Sequence, residues 1–567
     1  MRYLRSKSGV AVCFLLAVGH AVLATGQSSE GSRPPHAVGV KPAVVQRTEA
    51  NIQSYTLPSS SAPYWTPVAS PSPVSVGAML QLTDGRVLLH EEPNCSGSNC
   101  SGMDYTAWYI LTPDITGSYI NGTWSQAASM PPDYAPLYFG SAVLPDGKVI
   151  VAGGEYLCPG GQCAEGPWTN LSAFYDPAAN AWTSIAPPSL PTPWANIGDA
   201  QSVVLPNGTY MQADCCGVAL QMESAPLAAY FDEASMSWTE LNESTKLDEF
   251  DEEGWTLLPN GKVLTVDAYV ACPSDQPACK ASGNSGTNSE LWNPKTQTWS
   301  SAGSTIVQLW DSNCGAGSGS YEVGPAVLRP DGTVYYTGAS ECEAGHTAIY
   351  NSATGKWTKG PDFPNSDAAN DAPASIETNG NVIVMASPYT GTFSAPSNFY
   401  EWNGSKLNSF PAPPNAVNDA SYVGHLIVLP TGQIMFTDFT TQVEILTTAG
   451  TYKAAWRPTI GSAPKTVTAG VSDYSISGTQ FNGLTQGAAY GDDFQDATNY
   501  PLVRIVNNGT GHVFYCKTHN HSTMGVATGG ATVSTMFDVP ADIELGASKI
   551  YVVANGIPSA AKNITVK

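Results

Sequence analysis

Seven stretches of the chain share one pattern of apolar and polar positions: GAMLQLTDGRVLLH (77–90), GSAVLPDGKVIVAGG (140–154), AQSVVLPNGTYMQAD (200–214), GWTLLPNGKVLTVDA (254–268), GPAVLRPDGTVYYTGA (324–339), APASIETNGNVIVMAS (372–387) and GHLIVLPTGQIMFTD (424–438). In each, a short apolar run meets Asp-Gly, Asn-Gly or a near relative, and a second apolar run follows. Those dipeptides supply the positive φ angles of a tight turn, so each copy predicts two antiparallel strands. Most copies precede an aromatic-bearing hairpin: AFYDPAANAWTSI (173–185), AAYFDEASMSWTEL (228–241), ELWNPKTQTWSSA (290–302) or AIYNSATGKWTKG (348–360). Two hairpins make a four-stranded blade. Seven blades at intervals of about 50 to 70 residues predict an all-β, seven-bladed β-propeller over residues 61–460.

The pattern changes at both ends. Arg2, Arg5 and Lys7 precede the apolar run VAVCFLLAVGHAVLA, with Val22 and Ala24 placed for cleavage, so residues 1–24 predict a secretory signal. No other apolar run reaches the roughly 18 residues that span a bilayer. Residues 25–60 are polar, Pro/Ser-containing and without period, which predicts a leader or linker. Residues 461–567 lose the repeat but keep strand-like runs (SISGTQF, PLVRIV, HVFYCKT, KIYVVAN and NITVK), which predict an immunoglobulin-like β-sandwich. The expectation is an exported monomer, extracellular or, in a bacterium, periplasmic.

Composition sharpens this picture. Charged residues are 13% of the chain, against about 25% in ordinary domains, while 54 Gly and 43 Pro suit many short strands and turns. The net charge of −23 argues against nucleic acid or an anionic membrane as partner, since both need a basic footprint. Spacing predicts local disulfides Cys95–Cys100, Cys158–Cys163 and Cys272–Cys279, all in loops that follow the second strand of a blade. Cys314–Cys342 is a longer pairing, Cys215 and Cys216 are adjacent with their pairing open, and Cys516 is left over as a buried thiol. Ten Asn-x-Ser/Thr sequons would carry glycans only in a eukaryotic secretory pathway.

Candidate chemistry collects where the first strand of each blade begins. Strand 1 starts and strand 2 ends on the same face, because the two are antiparallel. Nine residues before the turn glycine, successive copies carry Val76, Tyr138, Asp199, Glu252, Val323, Asp371 and Val423, with Glu322 and Tyr422 one residue earlier. A ring of carboxylates at a channel mouth favours a cation or a hydrogen-bonding polyol, although a solvated acidic rim reads the same way. Tyr138, Trp194, Trp255, Tyr321 and Tyr422 are placed to stack on sugar rings or to pack between blades.

The seven hairpins, followed by YPLVRIVNNGTGHVFYCKTHNHSTM (500–524), resemble the galactose oxidase family, whose Kelch-type propeller precedes an immunoglobulin-like domain. The resemblance covers the chain from about residue 65 to the end. It implies a copper site of two tyrosines and two histidines, with one tyrosine cross-linked to a cysteine as the radical cofactor. His519 falls at the family's last histidine ligand and Tyr422 at a tyrosine ligand. Val423 replaces the adjoining histidine, with His425 two residues on along the expected strand alternation; Tyr138 replaces the cross-linking cysteine and Asp199 the radical tyrosine. Without the Cys–Tyr pair, copper-radical oxidation is disfavoured, and a site poor in imidazole suits a harder divalent ion than copper.

Two readings of function follow. In one, the acidic and aromatic face binds an extracellular glycan or a cell-surface partner through Tyr138, Trp194, Trp255, Glu322 and Tyr422. In the other, the same face is an active site with Asp199, Glu252, Asp371 and His519 as catalytic candidates, His519 and Tyr422 as metal ligands, and a metal-dependent oxidoreductase as the redox variant. His521 is expected to play a supporting structural part.

Overall fold

The computed structural model describes residues 60–92, 104–161, 169–189, 193–198, 200–215, 227–243, 245–248, 250, 252–268, 286–310, 322–339, 344–388, 394–491, 494 and 497–567. Among them the fold is almost wholly β, and no helix is long and apolar enough to cross a membrane. Seven four-stranded antiparallel blades form the propeller. Their innermost strands are Val76–Gln81, Gly140–Val143, Ser202–Val204, Thr256–Leu257, Ala326–Leu328, Ala374–Ile376 and His425–Val428.

The repeated dipeptides act as the pattern predicts. The turn residues Gly85, Gly147, Gly208, Gly261, Gly332, Gly380 and Gly432 all have φ between +79° and +90°. Every turn closes on the same backbone pair, as in Leu82 N–H to Arg86 O (2.8 Å) and Gly85 N–H to Leu82 O (3.0 Å). A side chain at these glycines would be strained in the left-handed region, so Gly is the residue the turn demands.

Blades are tied to one another by the tryptophans of their outermost strands. Trp182 Nε1 donates to Ala128 O and Trp238 Nε1 to Ala186 O, both at 2.9 Å, each reaching the segment just past the preceding blade. The ring closes by the same device. Tyr64–Pro67 pairs antiparallel with Glu444–Thr447 as the outer strand of blade 7, and Trp65 Nε1 donates to Pro411 O (2.7 Å), just past blade 6. The first described strand and the last blade therefore share one sheet, which leaves the ring no free seam.

After the propeller, strands from Thr459–Ser462 to Lys562–Val566 form one nine-stranded sheet. An immunoglobulin-like sandwich implies two sheets, whereas here the hydrogen-bonded path is unbroken. Ile460, near one end, and Ile564 and Val566, near the other, share a core with Phe481, Val503, Cys516 and Phe537, so the sheet curls on itself. This unit docks on the face formed by the hairpin turns. Thr518 N–H donates to Thr83 O (3.2 Å), Met524 N–H to Pro206 O (3.0 Å), and Tyr515 packs on Gly85.

Cys516 is a buried free thiol, as the odd count predicts. Cys158 and Cys215 are disulfide-bonded. Cys95, Cys100, Cys163, Cys272 and Cys279 lie outside the described residues, so the three local pairings stand as expectations.

Candidate functional site at the channel mouth

One segment of the C-terminal unit leaves the turn face and climbs through the ring. Ala488–Ala489 adds to blade 6 along its innermost strand, Ala374 facing Ala489 and Ser375 facing Ala488. Beyond it, the Tyr490 hydroxyl donates to Tyr422 O (2.7 Å). A side chain on Gly491 would lie 3.0 Å from Asp371 Cα and 3.2 Å from Val323 O, and Gly254 lies directly against Gly491 O. Phe494 meets Phe139 edge-on, with ring centres 5.1 Å apart. This short stretch therefore touches the strand-1 starts of blades 2, 4, 5, 6 and 7, and it fills the channel at its mouth.

Around the plug the structure brings together most of the described candidates. Tyr138, Glu252 and Asp371 hold the same register position in their blades, and all three have left-handed backbone, at φ 52°, 58° and 40°. Such geometry in non-glycine residues costs on the order of 1–3 kcal/mol each and persists only where the surroundings impose it. Tyr138 and Tyr422 are half-buried, and Glu252 and Glu322 are buried. Burial, followed by Tyr422 and the carboxylates Glu155 and Glu92, drives the Tyr138 hydroxyl well above the ordinary tyrosine range. Burial likewise raises that of Tyr422. Both phenols therefore stay protonated at neutral pH. Asp199 and Tyr321 lie outside the described residues.

The two tryptophans have another place. Trp194 and Trp255 are 2% and 3% exposed. Trp194 packs with Ala152, Ile197 and Ala229 between blades 2 and 3, and Trp255 sits edge-on to Phe250 at 5.5 Å. Neither presents a face to a ligand; their large apolar area goes into blade packing, the commoner fate of a propeller aromatic.

His519 and Tyr422 are not neighbours. Thr518 is bonded to Thr83 on the turn face, while Tyr422 stands at the mouth, and the seven steps of chain from Val76 to Thr83 reach at most about 23 Å. His519 faces Asp538 (Nε2 to Oδ1, 3.1 Å) and Asp473 (3.7 Å) instead. Tyr422 is met instead by Tyr490 of the C-terminal unit, whereas His519 is held by carboxylates of that unit itself. His521 is buried with Nδ1 on Thr535 Oγ1 (2.9 Å), and burial lowers its pKa to about 3, which fits a structural part.

Beneath the mouth lies a group the pattern did not single out. His90 Nδ1 meets Glu92 Oε1 at 2.6 Å and His90 Nε2 meets Tyr105 O at 2.7 Å. The other oxygen, Glu92 Oε2, accepts from Ala78 N–H (2.8 Å) and lies 3.8 Å from His425 Nε2. His425 is fully buried, stacked on Tyr490 at 5.2 Å, and neither ring nitrogen has a hydrogen-bond partner. Burial lowers its pKa to about 4, against the pull of Glu92. Ser421–Val423 forms a 3-10 turn, so the alternation expected to align His425 with Val423 does not operate there. A signal was present in the sequence: six residues after the turn glycine, the copies carry Glu91, Asp214, Asp267 and Asp438, marking strand-2 exits as a second source of buried acid.

No family model matches the chain. Over 104 residues it is 36% identical to a protein described as Kelch-like protein terF of Aspergillus terreus, a match covering 18% of this chain and 20% of that one. The matched part thus spans about a fifth of the curated relative. The seven four-stranded blades make the chain a seven-bladed β-propeller, part of which is similar to a Kelch-like protein.

Proposed function

We propose that this propeller binds a polyhydroxyl ligand, an extracellular carbohydrate, at the channel mouth. In this reading it is an exported, non-redox variant of the galactose oxidase plan, with the curled C-terminal sheet in the place of that family's immunoglobulin-like domain, bracing the ring. The observation that carries it is the set Tyr138, Glu252 and Asp371, held at one register position in the same left-handed backbone around the Tyr490–Gly491 plug. Carboxylates accept pairs of sugar hydroxyls, and half-buried tyrosines offer both a ring face and a donor, a combination common to polyol sites.

Glycan-array retention followed by calorimetry tests this. Glu252→Gln and Asp371→Asn should each weaken binding at least about tenfold, the order expected when a charge-assisted hydrogen bond becomes neutral. Absence of any retained glycan, or unchanged affinity in both variants, would sink the reading.

One observation favours a second reading, an enzyme acting on extracellular sugars or alcohols, including a metal-dependent oxidoreductase with copper among the candidates. It is the unpartnered, buried His425 beside Glu92, a pair suited to holding and moving a proton. Metal analysis with a hydrogen-peroxide assay on alcohols, aldehydes and sugars separates the two: turnover lost in His425→Phe supports the enzyme, and no turnover with any metal removes it.

A further inference from the structure

We propose that Asp473, His519 and Asp538 form a divalent transition-metal site of the zinc class on the C-terminal unit. The site is separate from the channel mouth and does not depend on the function proposed for it.

Strand register assembles the three residues. Tyr474–Thr479, Val533–Asp538 and Val513–His519 are consecutive in the sheet. Tyr474 faces Phe537 in the first pair, while Lys517 faces Asp538 and His519 faces Met536 in the second. Side chains alternate along a strand, so Lys517, His519, Met536 and Asp538 share one face, and Cys516 and Phe537 point to the core on the other. Asp473, one residue ahead of its strand, meets the same face: its N–H donates to Asp538 Oδ1 (3.0 Å), and its φ of 65° turns it there. Thr535 Oγ1 donates to His519 O (3.1 Å) and fixes the backbone that carries the imidazole.

The spacing fits a metal of this class. Zinc bonds of about 2.1 Å in a tetrahedron place neighbouring ligand atoms about 3.4 Å apart. His519 Nε2 lies 3.1 Å from Asp538 Oδ1 and 3.7 Å from Asp473 Oδ1, and one ligand atom from each residue falls within 4.8 Å of the other two. An imidazole among the ligands favours zinc, cobalt or nickel over calcium and magnesium, which take oxygen. Lys517 faces Asp538 in register and would compete for its carboxylate, but its stem runs to the blade 2 turn, with Cε 3.3 Å from the position a Gly147 side chain would take. Asp473 is 70% exposed, which leaves the fourth coordination position open to water or a small ligand.

The test uses the untagged full chain, stripped with chelator and desalted. It is titrated with ZnCl2 by calorimetry and with CoCl2 by visible absorption. The expectation is one equivalent bound, with a cobalt spectrum of low-coordinate nitrogen and oxygen ligation. Loss of a ligand should exceed the 10–100-fold typical of losing an outer-shell partner, so His519→Ala and Asp538→Asn should weaken binding at least about tenfold. His512→Ala, whose ring meets the single carboxylate of Glu544, should bind as the parent does. If His519→Ala fails to fold, His519→Gln serves in its place, with its unfolding midpoint matched to the parent in chelator. No stoichiometric binding by the parent protein, or affinity unchanged in the His519 and Asp538 variants, overturns the proposal.

Discussion

Two of the buried polar groups among the described residues are built on opposite principles. In blade 4, Lys246 is fully buried with Glu253 at 3.0 Å, Glu290 at 3.2 Å, Asp267 at 3.6 Å and Asp248 in direct contact. Burial alone would lower its pKa, but these carboxylates outweigh it and hold the ammonium well above its ordinary value. Phe250 and Trp299 cover the cation at 5.4 and 5.6 Å. At the mouth, His425 is equally buried, yet its ring nitrogens meet no hydrogen-bond partner and its pKa falls to about 4. The first group is a charge compensated from several sides, and it anchors the turn that carries Glu252. The second is a base kept neutral by its surroundings. The second keeps both ring nitrogens without a hydrogen bond, whereas in the first the ammonium is engaged by carboxylates on several sides.

The largest effect is expected at Lys246. Lys246→Met leaves several carboxylates buried without their counter-ion, and removing one partner of such a group costs about 3–5 kcal/mol. Urea unfolding at neutral pH should show that loss, and an unchanged midpoint would mean the cluster is not a compensated charge.

His425 comes next, through pH. Its folded pKa lies below the unfolded value, so the unfolded chain binds the extra proton between about pH 6.5 and 4, and the stability due to the neutral ring is lost as pH falls through that interval. The interval is worth roughly 3 kcal/mol. His425→Phe carries no such proton and should gain on the parent by up to that amount between pH 7 and pH 4; parallel stability curves would refute the neutral-base assignment.

A smaller effect is expected at Gly77, where a side chain would collide with Glu92 Oε2 and the Phe439 ring. Gly77→Ala should cost about 1–3 kcal/mol by displacing Glu92, and in the Gly77→Ala, His425→Phe double variant that cost should change, since both act on the same carboxylate. The smallest concerns closure of the ring. Trp65→Phe removes the bond to Pro411 O and should cost about 1 kcal/mol in thermal unfolding, while leaving the His425 difference untouched.

Much of the fold was legible in the chain. Asp-Gly and its relatives fall in seven copies, and all seven turn glycines take the positive φ that the dipeptides demand. The strand-1 starts were legible as a register, which is why Tyr138, Glu252 and Asp371 could be named together. Closure by Tyr64–Pro67 was not, because four residues ahead of the first repeat carry no period of their own. The C-terminal unit was legible as strands but not as one curled sheet, since strand patterns do not say where one sheet stops and another begins.

The sequence by itself determined this protein's local geometry: turn chemistry and two-residue alternation are short-range, so hairpins, blades and their number follow from residues close together in the chain. Only the tertiary structure decided which segment enters the channel and which side chains meet there. His519 and Tyr422 are paired by the resemblance to a family, yet His519 meets Asp538 while Tyr422 meets Tyr490. His425 is far in sequence from His90 and Glu92, and the three become one buried group only when blade 7 closes against blade 1. Their solvation, and with it their chemistry, is a property of that closure.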